Sequence, residues 1–152
     1  MKLKILFVCT QNVFRSLSAH KLLEFYDKEN KFEVDSAGTI ASSWETPYIW
    51  TLNTLYEIGV EKFEHKNKKI TTQLLKEQDI IIAMTKQHQQ IIRNLGFESY
   101  LFNQIVYNQN TDLMDDNETT YHSLEEFVRE TVEYINQSTP ILIEKLKEIN
   151  NN

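Results

Sequence analysis

Cys9-Thr10-Gln11-Asn12-Val13-Phe14-Arg15-Ser16 sets a thiol, five intervening residues, and then a guanidinium followed by a hydroxyl. A thiolate is a strong nucleophile at neutral pH. A planar guanidinium grips two oxygens of a phosphoryl group through paired hydrogen bonds. Main-chain N–H groups turned inward by a tight loop, with the positive end of a helix behind them, cradle a phosphate-sized anion and stabilise a thiolate in the same place. A cysteine on its own reads as a small buried apolar residue. Arg15 and Ser16 at this spacing, between a buried strand and a helix, turn the reading toward a nucleophile facing an anion.

That chemistry needs elements to position it. Lys4–Val8, rich in Ile, Leu, Phe and Val, has the pattern of a strand buried on both faces. Ala19, Leu22, Leu23 and Tyr26 then recur at helical spacing, so the chain opens strand, loop, helix. Phe32–Asp35 predicts a second strand ending at Ser36-Ala-Gly-Thr39. Thr46-Pro47 offers an N-cap and a proline at the first helical position for a helix to about Ile58. Ile80–Met84 predicts a third buried strand, Lys86 to Asn94 a helix, and Tyr100–Val106 a fourth strand. Two helices follow. Ser123-Leu-Glu-Glu126 forms a capping box for the first, and Thr139-Pro140 starts the second. Strands alternating with helices predict an α/β fold: one domain over residues 1–150, a central parallel four-stranded sheet with helices on both faces, and the phosphate-binding loop after the first strand.

Composition narrows the classes further. The 152 residues carry one cysteine, which excludes an intramolecular disulfide framework and multi-thiolate metal sites. A net charge of −6 is unlike the basic footprint of a nucleic-acid binder. No apolar run approaches membrane-spanning length, and Gln11, Asn12 and Arg15 interrupt the first one too soon for a secretory signal. The expectation is a cytoplasmic protein with a reduced thiol, no nucleic-acid partner and no membrane partner. His20, His88 and His122 show no ligand spacing, so neither a metal nor a cofactor is expected.

The loop resembles that of the low-molecular-weight protein tyrosine phosphatases, commonly Cys-x-Gly-Asn-x-Cys-Arg-Ser-Pro, with Cys9, Asn12, Arg15 and Ser16 at the matching positions. Val34-Asp-Ser-Ala-Gly-Thr39, His65-Lys-Asn-Lys-Lys-Ile-Thr71 and Asp79-Ile-Ile-Ile-Ala-Met84 are similar, in order, to further segments of that family. The resemblance implies hydrolysis of phosphotyrosine in proteins, and of small aryl phosphates, with inorganic phosphate as product. Cys9 would form a phosphocysteine. Arg15 would clamp the phosphoryl group, with Thr10, Gln11, Asn12, Val13, Phe14 and Ser16 lining the substrate site. The Ser16 hydroxyl would donate to the thiolate, and Ser36 and His65 would help to hold the loop's shape. The general acid would be Asp115 or Asp116 in Asp112-Leu-Met-Asp-Asp-Asn-Glu118.

The departures from the family pattern are informative. Gln11 stands for the usual glycine, Phe14 for the second cysteine, Leu17 for the proline, and Asp116 or Asn117 for the proline after the acid. A glycine in a phosphate loop often serves a positive φ. Without a neighbouring thiol, an oxidised Cys9 has no intramolecular disulfide to retreat to. The related arsenate reductases, which relay a disulfide through further cysteines, are excluded on the same count. By the same resemblance, Val13 stands where the family's phosphotyrosine enzymes usually carry an apolar residue and its phosphoarginine phosphatases a small hydroxyl residue, which implies phosphotyrosine as the substrate. The family's aromatic pair after the acid is missing, leaving Trp44, Tyr48 or Tyr121 to line the ring slot. The alternative reading is a phosphate- or phosphopeptide-binding domain of the same fold with weak or no turnover. A flavodoxin-like nucleotide module lacks any GxGxxG or Walker loop here.

Overall fold

A computed structural model describes residues 1–42, 44–113 and 122–151. Four parallel strands stand in the order β2-β1-β3-β4: β1 Leu3–Cys9, β2 Phe32–Gly38, β3 Ile80–Ala83 and β4 Tyr100–Leu101. β1 is central, and from Ile5 to Cys9 every residue is buried. The two-residue period of a strand sends Ile5, Phe7 and Cys9 to one side and Leu6 and Val8 to the other. The first set packs with Leu22 and Leu23 of α1 (Arg15–Tyr26), Leu55 of α2 (Ile49–Ile58), and Val132, Ile135, Leu142 and Leu146 of a long C-terminal helix. The second packs with Leu75 of α3 (Thr72–Lys76) and Ile92 of α4 (Lys86–Asn94). Helices on both faces bury the sheet. Cys9 therefore emerges at the carboxyl end of the central strand, where ligands bind in such sheets.

Three local expectations are corrected. The proposed strand Tyr100–Val106 is a strand only through Leu101. Phe102–Tyr107 is a helix, α5, whose Phe102, Ile105 and Val106 are buried at helical spacing. The two tail helices are one, α6 (Leu124–Asn150), running through Pro140. Proline removes one main-chain hydrogen bond, but Ile135, Leu142, Ile143 and Leu146 continue one buried face across it. The Ser138 and Thr139 hydroxyls meanwhile donate to the Tyr134 and Ile135 carbonyls in the preceding turn. α2 begins at Ile49 with Tyr48 as its N-cap, so Thr46-Pro47 precedes the helix. Tyr48 stays extended, with its ring edge-on to Phe14 at 5.9 Å. The short helix α3 was not anticipated. The capping box at Ser123 is present in modified form: its hydroxyl accepts from Glu126 N, while the Glu126 carboxylate accepts from His122 N.

Candidate active site

Cys9 is the last residue of β1 and Arg15 the first of α1, so residues 10–14 must turn between strand and helix. The turn hinges on Asn12, which is fully buried with φ 62°. Asparagine tolerates that left-handed region better than most residues. The positive φ expected at the glycine position thus falls one residue later, and Gln11 needs no special backbone. Gln11 Oε1 instead accepts from Ser42 N at 3.3 Å, and its carbonyl accepts from Asn67 Nδ2 at 3.3 Å.

Asn12 fixes the sulfur's hydrogen-bond partner. Lys68 N donates to Asn12 Oδ1 at 3.1 Å, which orients the amide so that Nδ2 donates to Ser16 Oγ at 2.9 Å. That bond holds Ser16 Oγ 2.9 Å from Cys9 Sγ, and to a thiolate, which can only accept, the Ser16 hydroxyl donates. A hydroxyl donor favours the thiolate over the thiol. His65 Nε2 donates to the Asn12 carbonyl at 2.6 Å. Burial is the main influence lowering the pKa of His65; the bond to Asn12 opposes it, and His20, Lys21 and Lys68 add to the lowering.

The segment carrying His65, Asn67 and Lys68 lies along the end of β2: Gly38 N donates to Lys68 O and Ile70 N to Gly38 O, both at 2.8 Å. Thr39 N and Ile40 N in turn donate to the Cys9 and Thr10 carbonyls at 2.9 and 3.0 Å. Gly38 is required by this approach. A Cβ there would lie 2.4 Å from the Thr10 carbonyl oxygen.

On the other side, His88 of α4, 1% exposed, sits with Nε2 2.8 Å from Thr10 Oγ1 and Nδ1 3.0 Å from Thr85 Oγ1. Burial first, and then the Arg15 charge, lower its pKa to about 4, against an opposing pull from Asp112. It is a neutral imidazole at pH 7. The N-cap of α1 is Phe14, with no side-chain cap, so the first-turn N–H groups remain open to an anion. Arg15 Nη1 donates to the Leu113 carbonyl at 3.4 Å, and Leu113 N is anchored to Met84 O at 2.8 Å.

Cys9, Thr10, Gln11, Val13, Phe14 and Arg15 line a cavity of about 150 Å³, closed on one side by Tyr48. A larger cavity of about 590 Å³ opens near Asp79, Ile80 and Tyr100, at the amino ends of β3 and β4 and away from the nucleophile. Asn12 and Ser16 lie behind the small cavity as its hydrogen-bonded support. Among the described residues the Ser36 hydroxyl makes no hydrogen bond to the loop and pairs instead with His20 Nδ1 at 2.9 Å. Trp44 is 79% exposed and does not line the cavity, where Tyr48 stands instead. Asp115, Asp116 and Tyr121 lie outside the described residues. Sequence reasoning missed His88, Thr85 and Asn67, each far along the chain from the loop it supports.

Residues 4–152 match the family model described as low molecular weight phosphotyrosine protein phosphatase. The chain is 33% identical over 90 residues to a protein-arginine-phosphatase of Bacillus subtilis, and 30% identical over 84 residues to the low molecular weight protein-tyrosine-phosphatase Wzb of Escherichia coli. These alignments take in 58% and 55% of this chain, and 59% and 56% of those relatives. The fold superposes on the YwlE arginine phosphatase from Geobacillus stearothermophilus with a TM-score of 0.81 and 26% identity, covering 96% of this chain and 94% of that one.

Proposed function

The chain belongs to the low-molecular-weight phosphotyrosine protein phosphatase family, and we propose that it hydrolyses phosphotyrosine in proteins, and small aryl phosphates, through a phosphocysteine at Cys9. The observation that carries this is Cys9 lining a small cavity with its sulfur 2.9 Å from the Ser16 hydroxyl, which Asn12 holds in place. The Cys9 thiolate attacks phosphorus in line, an S–P bond forms, and the bond from phosphorus to the aryl oxygen breaks. Asp115 or Asp116 protonates the departing phenolate. The same carboxylate then takes a proton from water, whose oxygen displaces sulfur and releases inorganic phosphate. Throughout, the N–H groups at the start of α1 and the Arg15 guanidinium hold the equatorial oxygens. Leu113, whose carbonyl meets Arg15, is two residues before Asp115 and three before Asp116, within chain reach of the cavity.

Val13, 8% exposed, and the rings of Phe14 and Tyr48 give the cavity apolar walls suited to an aryl group. They support phosphotyrosine over the phosphoarginine that the names of some relatives carry. A thiolate nucleophile needs a reducing compartment, which supports a cytoplasmic location. Among the described residues no helix is long and apolar enough to cross a membrane.

Steady hydrolysis of p-nitrophenyl phosphate by wild type, abolished in Cys9→Ser, is the required result. Equal turnover by both proteins overturns the proposal. Faster release of phosphate from a phosphotyrosine peptide than from a phosphoarginine peptide supports the substrate, and the reverse order reassigns it. The leaving-group limb of the pH profile disappears in one of Asp115→Asn and Asp116→Asn, and that variant identifies the acid.

A further inference from the structure

Thr10 directly follows the nucleophile and lines the cavity, while its hydroxyl faces His88 Nε2 at 2.8 Å. At the far side of the ring, Thr85 Oγ1 lies 3.0 Å from Nδ1 and also accepts the main-chain N–H of His88 at 3.2 Å, as the N-cap of α4. Counting protons sets the direction of this chain. With the proton on Nδ1, Thr85 Oγ1 would accept twice, and its own proton would have no acceptor among the described residues, in a side chain only 6% exposed. With the proton on Nε2, Thr85 donates to Nδ1, and the unpaired proton moves from nearly buried Thr85 to Thr10, which is half-buried and lines the cavity. His88 then donates to Thr10 Oγ1, and the Thr10 proton is the one left over, on a residue that lines the same cavity as Cys9.

We propose that His88 is a positioning residue for phosphoryl transfer: by donating to Thr10 Oγ1 it leaves the Thr10 hydroxyl proton as a donor to a phosphoryl oxygen bound over Cys9. The proposal rests on the phosphatase reading. A phosphoryl oxygen is a charged acceptor, and an O–H bond to it is shorter and stronger than one between neutral groups. The Thr10 donor is neutral and held from the opposite end of the loop to Arg15. Both ends lean on the first turn of α4, because Lys86 N also donates to Asp112 Oδ1 at 2.8 Å, next to the Leu113 carbonyl that receives Arg15.

Four proteins test the pair: wild type, Thr10→Val, His88→Leu and the double variant, each assayed for kcat and KM on p-nitrophenyl phosphate and for inhibition by inorganic phosphate. Thr10→Val should lower kcat by about 100-fold, the lower end of what loss of one donor to the transition state costs. His88→Leu should cause a comparable loss in the wild-type background and less than about a twofold loss once Thr10 is already valine. His88→Gln, whose amide can still donate to Thr10, should recover most of the lost kcat whatever its melting temperature. Equal losses from His88→Leu in both backgrounds overturn the proposal, as do unchanged kcat in both single variants or no recovery in His88→Gln. If wild type shows no turnover at all, it is the phosphatase reading that fails, and inorganic-phosphate affinity in the same four proteins decides the pairing. Non-additive losses of affinity then support it, and indifference to both substitutions overturns it.

Discussion

Asn12→Ala removes the residue on which the loop turns, and its cost follows from two hydrogen bonds and one backbone angle. The Lys68 N–H loses its acceptor, and a partly buried donor left unpaired costs about 1–3 kcal/mol. Ser16 Oγ, fully buried, loses the donor that holds it beside the sulfur, for about another 1 kcal/mol. Alanine at φ 62° adds about 1 kcal/mol of backbone strain. The sum, about 3–5 kcal/mol, is a large share of a stability of about 5–15 kcal/mol. Asn12→Gly loses the same hydrogen bonds but not the strain, and should be more stable than the alanine variant by about 1 kcal/mol. Urea unfolding of the three proteins measures both differences. In parallel, kcat should fall in both variants, because Ser16 Oγ is no longer held beside the sulfur. Equal stability of the alanine and glycine variants refutes the strain, and near-wild-type stability and kcat in both refute the hinge.

His88, with a folded pKa of about 4 against an ordinary 6.5, leaves the folded chain one proton short of the unfolded chain between those values. The stability tied to its neutral form is therefore complete above about pH 6.5 and is lost as pH falls toward 4, by at most about 3 kcal/mol. His88→Gln should flatten that acid slope in urea titrations at stepped pH, and identical slopes in the two proteins would exclude His88 as its source. Gly38→Ala should push the Thr10 carbonyl from its place, costing at least about 1–3 kcal/mol and lowering kcat; an unchanged melting temperature would show that the loop yields freely. Prolonged peroxide without small thiols should carry the lone Cys9 past the sulfenic state. Full recovery of activity with dithiothreitol would contradict this.

The nucleophile and phosphate clamp were legible because Cys9 to Ser16 is contiguous and its neighbours carry unambiguous strand and helix patterns. The support of that loop was not. His88 reaches Thr10 across 78 positions, and a single histidine in an amphipathic helix gives no local sign of what its ring will meet. His65 could be singled out only because its whole segment resembles a family pattern. Ser36, chosen on the same basis, turned its hydroxyl to His20 instead. In the fold, Tyr100–Val106 was misread because Leu101, Phe102, Ile105 and Val106 suit a short buried strand and a helix face alike. Pro140 looked like a helix start because its local cost is real, while the apolar face that carries α6 across it is a tertiary effect. Trp44 illustrates the converse: an aromatic of the right type four positions before Tyr48, yet standing out in solvent while Tyr48 takes the cavity wall.

A phosphoryl group caught on sulfur tests the central chemistry most directly. Wild-type protein quenched in acid during turnover of p-nitrophenyl phosphate should yield, by mass spectrometry, a peptide carrying Cys9 heavier by one phosphoryl group, and Arg15→Ala should abolish both the adduct and turnover. Sustained turnover with no adduct on the Cys9 peptide would contradict a phosphocysteine route.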